Sequence, residues 1–203
     1  MDDIILSTNP EEHSTRLRKI LDKLQEEGMT LNLDKCIFHA TRLEYLGQIV
    51  GSDGIRKDPK KVEAVKNYPQ PSDVTELRRF LGMANQLTKF TPLLAELTEP
   101  LRQLLKKNTA WVWGPDQEKA FNKIKDELMS DRILAMYDPN LETVLSVDSS
   151  SYGIGGVILQ TQTSGDLLPI AYASRSMTPT ERRYTHIEKE ALRLYRHSEQ
   201  MSH

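Results

Sequence analysis

The 203-residue sequence predicts an α+β fold on three observations. Apolar residues recur at helical spacing through the middle of the chain. Short apolar runs bounded by turn residues stand on either side of that middle. The order is strand and helix, then a run of helices, then three strands and a helix, with no internal repeat. Boundaries are expected near residues 55 and 135, giving segments 1–55, 56–135 and 136–203.

In the first segment Ile4-Ile5-Leu6 reads as a buried strand. Asn9 is placed to cap a helix with Pro10 in its first turn, where a missing N–H costs nothing. Leu17, Ile20, Leu21 and Leu24 repeat along that helix, and Gly28 ends it. A short strand is expected near Leu31–Leu33. Leu43–Val50 and Ile55 flank Gly51-Ser52-Asp53-Gly54, a hairpin signal.

In the second segment Asp58-Pro59 starts a helix carrying Val62 and Val65 that stops before Pro69. Asp73 and Glu76 form a capping pair for a helix burying Leu77, Phe80, Leu81, Ala84 and Leu87. Leu97, Leu101, Leu104 and Leu105 mark a further stretch with Pro100 at a helix start. Trp111 and Trp113 beside Phe121 read as a core cluster rather than a base-stacking platform. Ala120, Phe121, Ile124 and Leu128 mark one more helix. In the third segment Thr143–Val147, Gly155–Gln160 and Leu168–Ala173 are expected strands. Thr178-Pro179 opens a helix with Ile187, Ala191, Leu192 and Tyr195.

Composition narrows the classes. With glycine counted in place of tyrosine, about 39% of residues are apolar, below the roughly 45–50% of typical domains. Such a chain is either surface-rich or short of part of its core. The lone Cys36 excludes a disulfide framework within the chain. No apolar run approaches the ~20 residues of a membrane helix, and no targeting signal is evident. The expected location is cytoplasmic or nuclear, away from membranes. The formal charge of −2 is unevenly spread: net −4 over 1–55, +5 over 56–107, −4 over 108–150 and +1 over 151–203. The basic quarter suits either a phosphate backbone or a solvated helical surface.

Four carboxylates are candidate metal ligands. Asp2 and Asp3 are adjacent just before an apolar run, and paired carboxylates there can hold Mg²⁺, a hard cation that takes oxygen ligands. A solvated chain end is the alternative. Asp148 ends an expected strand before Gly153-Ile154-Gly155-Gly156, and Glu190 falls on the expected last helix. They can converge on one metal, or be a glycine-rich turn and an exposed helical acid. The glycines lead into a strand and lack the third glycine of a dinucleotide loop. His13, His39, His186, His197 and His203 show no metal-ligand spacing with Cys36 or each other.

Further stretches carry a family likeness: Gly28-Met29-Thr30-Leu31-Asn32-Leu33-Asp34-Lys35-Cys36, Tyr45-Leu46-Gly47, Gly54-Ile55-Arg56-Lys57-Asp58-Pro59, Glu76-Leu77-Arg78-Arg79-Phe80-Leu81-Gly82, Trp111-Val112-Trp113, Val147-Asp148-Ser149-Ser150 and Glu188-Lys189-Glu190-Ala191-Leu192. In this order, from residue 1 to about 192, they resemble the polymerase and ribonuclease H portion of the Pol polyprotein of gypsy-class LTR retrotransposons.

The resemblance implies a partial reverse transcriptase palm hairpin and thumb helical bundle, followed by a truncated ribonuclease H-like three-strand sheet with one helix. It makes Asp2 and Asp3 metal ligands of polymerisation, and Asp148 and Glu190 metal ligands for hydrolysing the RNA strand of a hybrid, with Mg²⁺ as cofactor. Leu46 and Gly47 would position a primer strand. Arg78, Arg79, Lys106 and Lys107 would contact an RNA–DNA hybrid or primer–template duplex, with the remaining Pol segments as partners. The tyrosine of the Tyr-x-Asp-Asp box, a third polymerase aspartate and the later ribonuclease H acids are absent from the sequence. The expectation is therefore a fragment inactive alone. The alternatives are a non-catalytic duplex-binding remnant and a truncated reading frame without function.

Overall fold

The computed structural model describes residues 4–6, 10–92, 94–150 and 152–185. The chain forms two compact units, Met1–Ala40 and Thr41–His203.

In the first unit, helix α1 spans Pro10–Glu26. Beyond it the left-handed Gly28 donates its N–H to Gln25 O, and Met29 N–H reaches Leu24 O at 2.8 Å, satisfying carbonyls the helix leaves open. Two strand expectations fail here. Residues 4–6 are not a strand, and Ile4 and Ile5 are exposed; no strand among the described residues pairs with them. Leu33–Lys35 forms a 3₁₀ turn instead of a strand, because the Asn32 side chain accepts from Asp34 N–H and starts a local turn.

The second unit opens with an antiparallel sheet in sequence order: β1 (Arg42–Tyr45), β2 (Gln48–Gly51) and β3 (Gly54–Lys57). Tyr45 pairs with Gln48 and Gly51 with Gly54, so both connections are two-residue turns. Leu43–Val50 is therefore two strands, turning at Leu46-Gly47.

The helices follow: α2 (Pro59–Lys66), α3 (Val74–Gln86), α4 (Leu94–Leu97), α5 (Glu99–Gln103) and α6 (Pro115–Met129). Asp58 caps α2 by accepting from Lys60 N–H. Asp73 caps α3 by accepting from Thr75 and Glu76 N–H. The Glu76 carboxylate accepts from Ser72, one residue before the cap. Pro100 sits in the first turn of α5, as expected.

Val65, Leu77, Phe80, Leu81, Ala84, Leu101, Phe121, Ile124 and Leu128 form one buried core. Its aromatic centre is Phe80 and Phe121, with ring centroids 4.6 Å apart, and Trp113 meets Phe121 edge-on at 5.8 Å. The tryptophans pack against this core. Lys57, 7% exposed, donates to Leu128 O at 3.0 Å and Ser130 O at 2.6 Å, closing the end of α6. Burial pushes this ammonium down to about 8; Arg132 adds to the push while Glu127 and Asp131 oppose it.

A second antiparallel sheet follows in sequence order: β4 (Thr143–Ser149), β5 (Gly153–Thr161) and β6 (Leu167–Ser176). Its strands outrun the expected ones at most ends. A bulge falls between Ile158 and Leu159, opposite Ala171 and Pro169. Leu134 bridges the two sheets: it exchanges hydrogen bonds with Ile55 (2.7 and 2.9 Å), and Ala135 N–H donates to Pro169 O. The last described element is a 3₁₀ turn, Glu181–Arg183; the expected helix through Ile187 and Tyr195 lies outside the described residues. The α+β class, the helical middle and the second three-strand sheet match the expectation; the first sheet has one strand more than the expected hairpin. Among the described residues no helix is long and apolar enough to cross a membrane.

Candidate nucleic-acid interface and metal ligands

The expected ligands Asp2, Asp3 and Glu190 lie outside the described residues. Asp148 is described: it is exposed near the end of β4, opposite Gly155, which in turn faces Ser174. These three stand in one cross-strand row. The β4–β5 turn is fixed by Ser150, whose Oγ accepts from the N–H groups of Tyr152 and Gly153. Beyond the row, α4 packs closely: Ala95 N–H donates to Ser174 Oγ at 2.9 Å. A Cβ on Gly153 would stand 3.0 Å from Ala95 Cβ and 3.1 Å from Arg175 O, so this approach selects glycine.

Asp148 has the hard oxygen chemistry that suits Mg²⁺. It is also the one expected ligand among the described residues, where no three His, Cys, Asp or Glu side chains converge on a metal position. Those residues alone do not build a magnesium site.

Two ion pairs on buried carboxylates hold the region after β6. Arg175 binds Glu181 through both guanidinium nitrogens at 2.8 and 2.9 Å. That contact, with Thr178 N–H, lowers the Glu181 carboxyl to about 2. Arg182 binds Glu99 of α5 through both nitrogens at 2.9 and 3.0 Å and lies over the Tyr152 ring at 5.4 Å. The second pair joins segments 83 residues apart and fixes the end of the second sheet to the helices.

Leu46 and Gly47 form the β1–β2 turn with φ of +48° and +69°. Positive φ at both central positions matches the right-handed twist of a tight hairpin. Leu46 is costly in that conformation, and its side chain is 71% exposed. Gly47 is pressed by Lys61: a Cβ there would overlap Lys61 Nζ.

Arg78 and Arg79 sit on α3, exposed, on the side away from Leu77, Phe80 and Ala84. Lys106 and Lys107 are exposed in the turn after α5. None of the four forms an ion pair among the described residues. No described interaction joins the α3 pair to the lysine pair. Sequence reading missed Lys57, Glu99 and Arg182, whose partners lie far along the chain. Lys61 belongs to the basic quarter 56–107 that the sequence offers to a phosphate backbone, but its place over Gly47 was not legible there.

The fold over 97% of the chain is shared with foamy viral protease–reverse transcriptase. Its structure with double-stranded DNA superposes with a TM-score of 0.80 at 23% identity, covering 35% of that chain. Its structure with an RNA/DNA hybrid gives 0.79 at 24% identity, covering 27% of that chain. Residues 113–203 match the RNase H-like domain found in reverse transcriptase. The Tf2-3 and Tf2-4 transposon polyproteins of Schizosaccharomyces pombe (strain 972 / ATCC 24843) are each 33% identical over 193 residues, 95% of this chain. The chain spans 14% of the length of these relatives. The chain is thus similar to a segment of retrotransposon polyproteins, and its residues 113–203 are similar to the RNase H-like domain found in reverse transcriptase.

Proposed function

We propose that the chain serves a retrotransposon reverse transcriptase as the part that grips the nucleic-acid duplex between polymerisation and hydrolysis of the RNA strand. The carrying observation is two exposed basic pairs, Arg78-Arg79 and Lys106-Lys107, with no acid partner among the described residues, on a fold shared with a reverse transcriptase solved on duplexes. In this reading residues 1–55 contribute the last part of a palm, 56–135 the thumb and connection, and 136–203 the beginning of a ribonuclease H region. Leu46 and Gly47 lie against the primer strand. Asp2 and Asp3 are metal-binding acids of polymerisation, and Asp148 and Glu190 those of RNA hydrolysis, completed by other Pol segments. Phosphate contacts position the duplex without reading its sequence.

The test is binding of the chain to RNA–DNA hybrids of unrelated sequence at 50 and 200 mM salt. Equal affinities for the different sequences and a steep loss with salt support the reading. Absence of binding at low salt refutes it. If the chain cleaves the hybrid with Mg²⁺, Asp148→Asn abolishes that cleavage; cleavage insensitive to the change removes Asp148 from the role.

A further inference from the structure

Two histidines far apart in the sequence meet in the first unit. His13 lies near the start of α1, and His39 lies beyond the Leu33–Lys35 turn. Their ring centroids are 5.2 Å apart, with planes tilted by 48°. His13 Nε2 is enclosed and has no hydrogen-bond partner among the described residues. Buried polar atoms are nearly always partnered, so an orphaned imidazole nitrogen points to a ligand that supplies the partner. His39 is exposed, and its backbone is left-handed at φ +54°. Histidine is enriched in that conformation, and strained positions of this kind cluster at ligand clamps. The nearby Cys36 thiol donates to Asn32 O at 3.3 Å and is engaged in its own turn.

The ring separation fits a shared metal ion. A tetrahedral ion that holds one nitrogen of each ring at about 2.0–2.1 Å sets the centroids roughly 5 Å apart. Neutral imidazole suits Zn²⁺ and its neighbours, whereas Mg²⁺ takes oxygen ligands. We propose that His13 and His39 form a two-imidazole site for a divalent transition metal of the Zn²⁺ class. His13 contributes Nε2, and the exposed His39 ring turns one of its nitrogens to the same ion. Water fills the remaining positions. The ion ties residue 39 back to the start of α1. The site is distinct from the carboxylates proposed for Mg²⁺ and does not rest on the duplex-binding reading.

The experiment titrates the whole chain with Zn²⁺ by calorimetry, with and without millimolar Mg²⁺, and follows the imidazole nitrogen signals by NMR. Saturable binding that Mg²⁺ does not displace is expected. It should weaken at least about tenfold in both His13→Gln and His39→Gln, since even outer-shell partners of a metal are worth about 10–100-fold. His186→Gln, His197→Gln and His203→Gln together, and Cys36→Ser, are expected to retain it. In the unaltered chain Zn²⁺ should shift the ring signals of His13 and His39 together, a readout that does not depend on a variant folding. No saturable binding, displacement by Mg²⁺, or a shift of one ring without the other overturns the site. Weakening in only one of the two histidine variants also overturns it, since the ion is then held by a single imidazole.

Discussion

Lys57 gives the sharpest stability prediction. Its ammonium is buried at the end of α6, where it donates to Leu128 O, Ser130 O and Ser130 Oγ. Burial lowers it from 10.5 to about 8. The folded chain therefore gives up this proton near pH 8 and the unfolded chain near 10.5. Between those values the unfolded state holds more protons, so stability from this group rises with pH. At about 1.4 kcal/mol per pH unit, the full gain is about 3 kcal/mol. Other lysines and tyrosines titrate in the same range, so the comparison is with Lys57→Met, which shares them. Urea melts at pH 7 and pH 10.5 are expected to show the difference between the two proteins growing in favour of Lys57 by about 3 kcal/mol. At pH 7 the difference is small, because Met removes the cost of a buried cation but leaves the helix-end carbonyls unpaired. A difference independent of pH would refute the buried, proton-releasing Lys57.

Other consequences are simpler to read. Glu181, held at about 2 by Arg175, contributes stability that is complete above the ordinary 4.5 and lost as pH falls through 2. Glu181→Gln should cost about 3 kcal/mol at pH 7 and flatten acid unfolding between pH 4.5 and 2. A double-mutant cycle on Glu99→Gln and Arg182→Gln should return a coupling of about 1–3 kcal/mol in urea melts; additive effects would mean the pair does not fix the sheet to the helices. Leu46→Asn should raise stability by about 1 kcal/mol, since Asn tolerates left-handed backbone better than Leu; a lower melting temperature would count against a strained turn.

The helical middle was legible because its signals are local. Asp58-Pro59 and Asp73 with Glu76 mark helix starts by side chains that bond their own backbone, and Leu77, Phe80 and Ala84 repeat with the helix. The turn at Leu46-Gly47 was hidden because leucine is not a turn-forming residue. The surrounding fold imposes its conformation, and the flanking apolar residues read as one run. Ile4-Ile5-Leu6 and Leu31–Leu33 have apolar residues but no pairing strand among the described residues, and apolarity without a neighbour does not make a sheet. In the candidate site Asp148, Arg78 and Arg79 could be named from order and charge. Lys61 over Gly47 and Arg182 on Glu99 could not, since each depends on tertiary proximity between separate elements.

The central claim is that this chain grips a duplex by its phosphates, and a charge-removal variant tests it most directly. Arg78→Gln, Arg79→Gln, Lys106→Gln and Lys107→Gln together should leave the fold intact, because all four side chains are exposed. Against an RNA–DNA hybrid the slope of log affinity on log salt should fall by about 3–4, at about 0.9 for each phosphate no longer neutralised. A slope unchanged from that of the unaltered chain would contradict the claim.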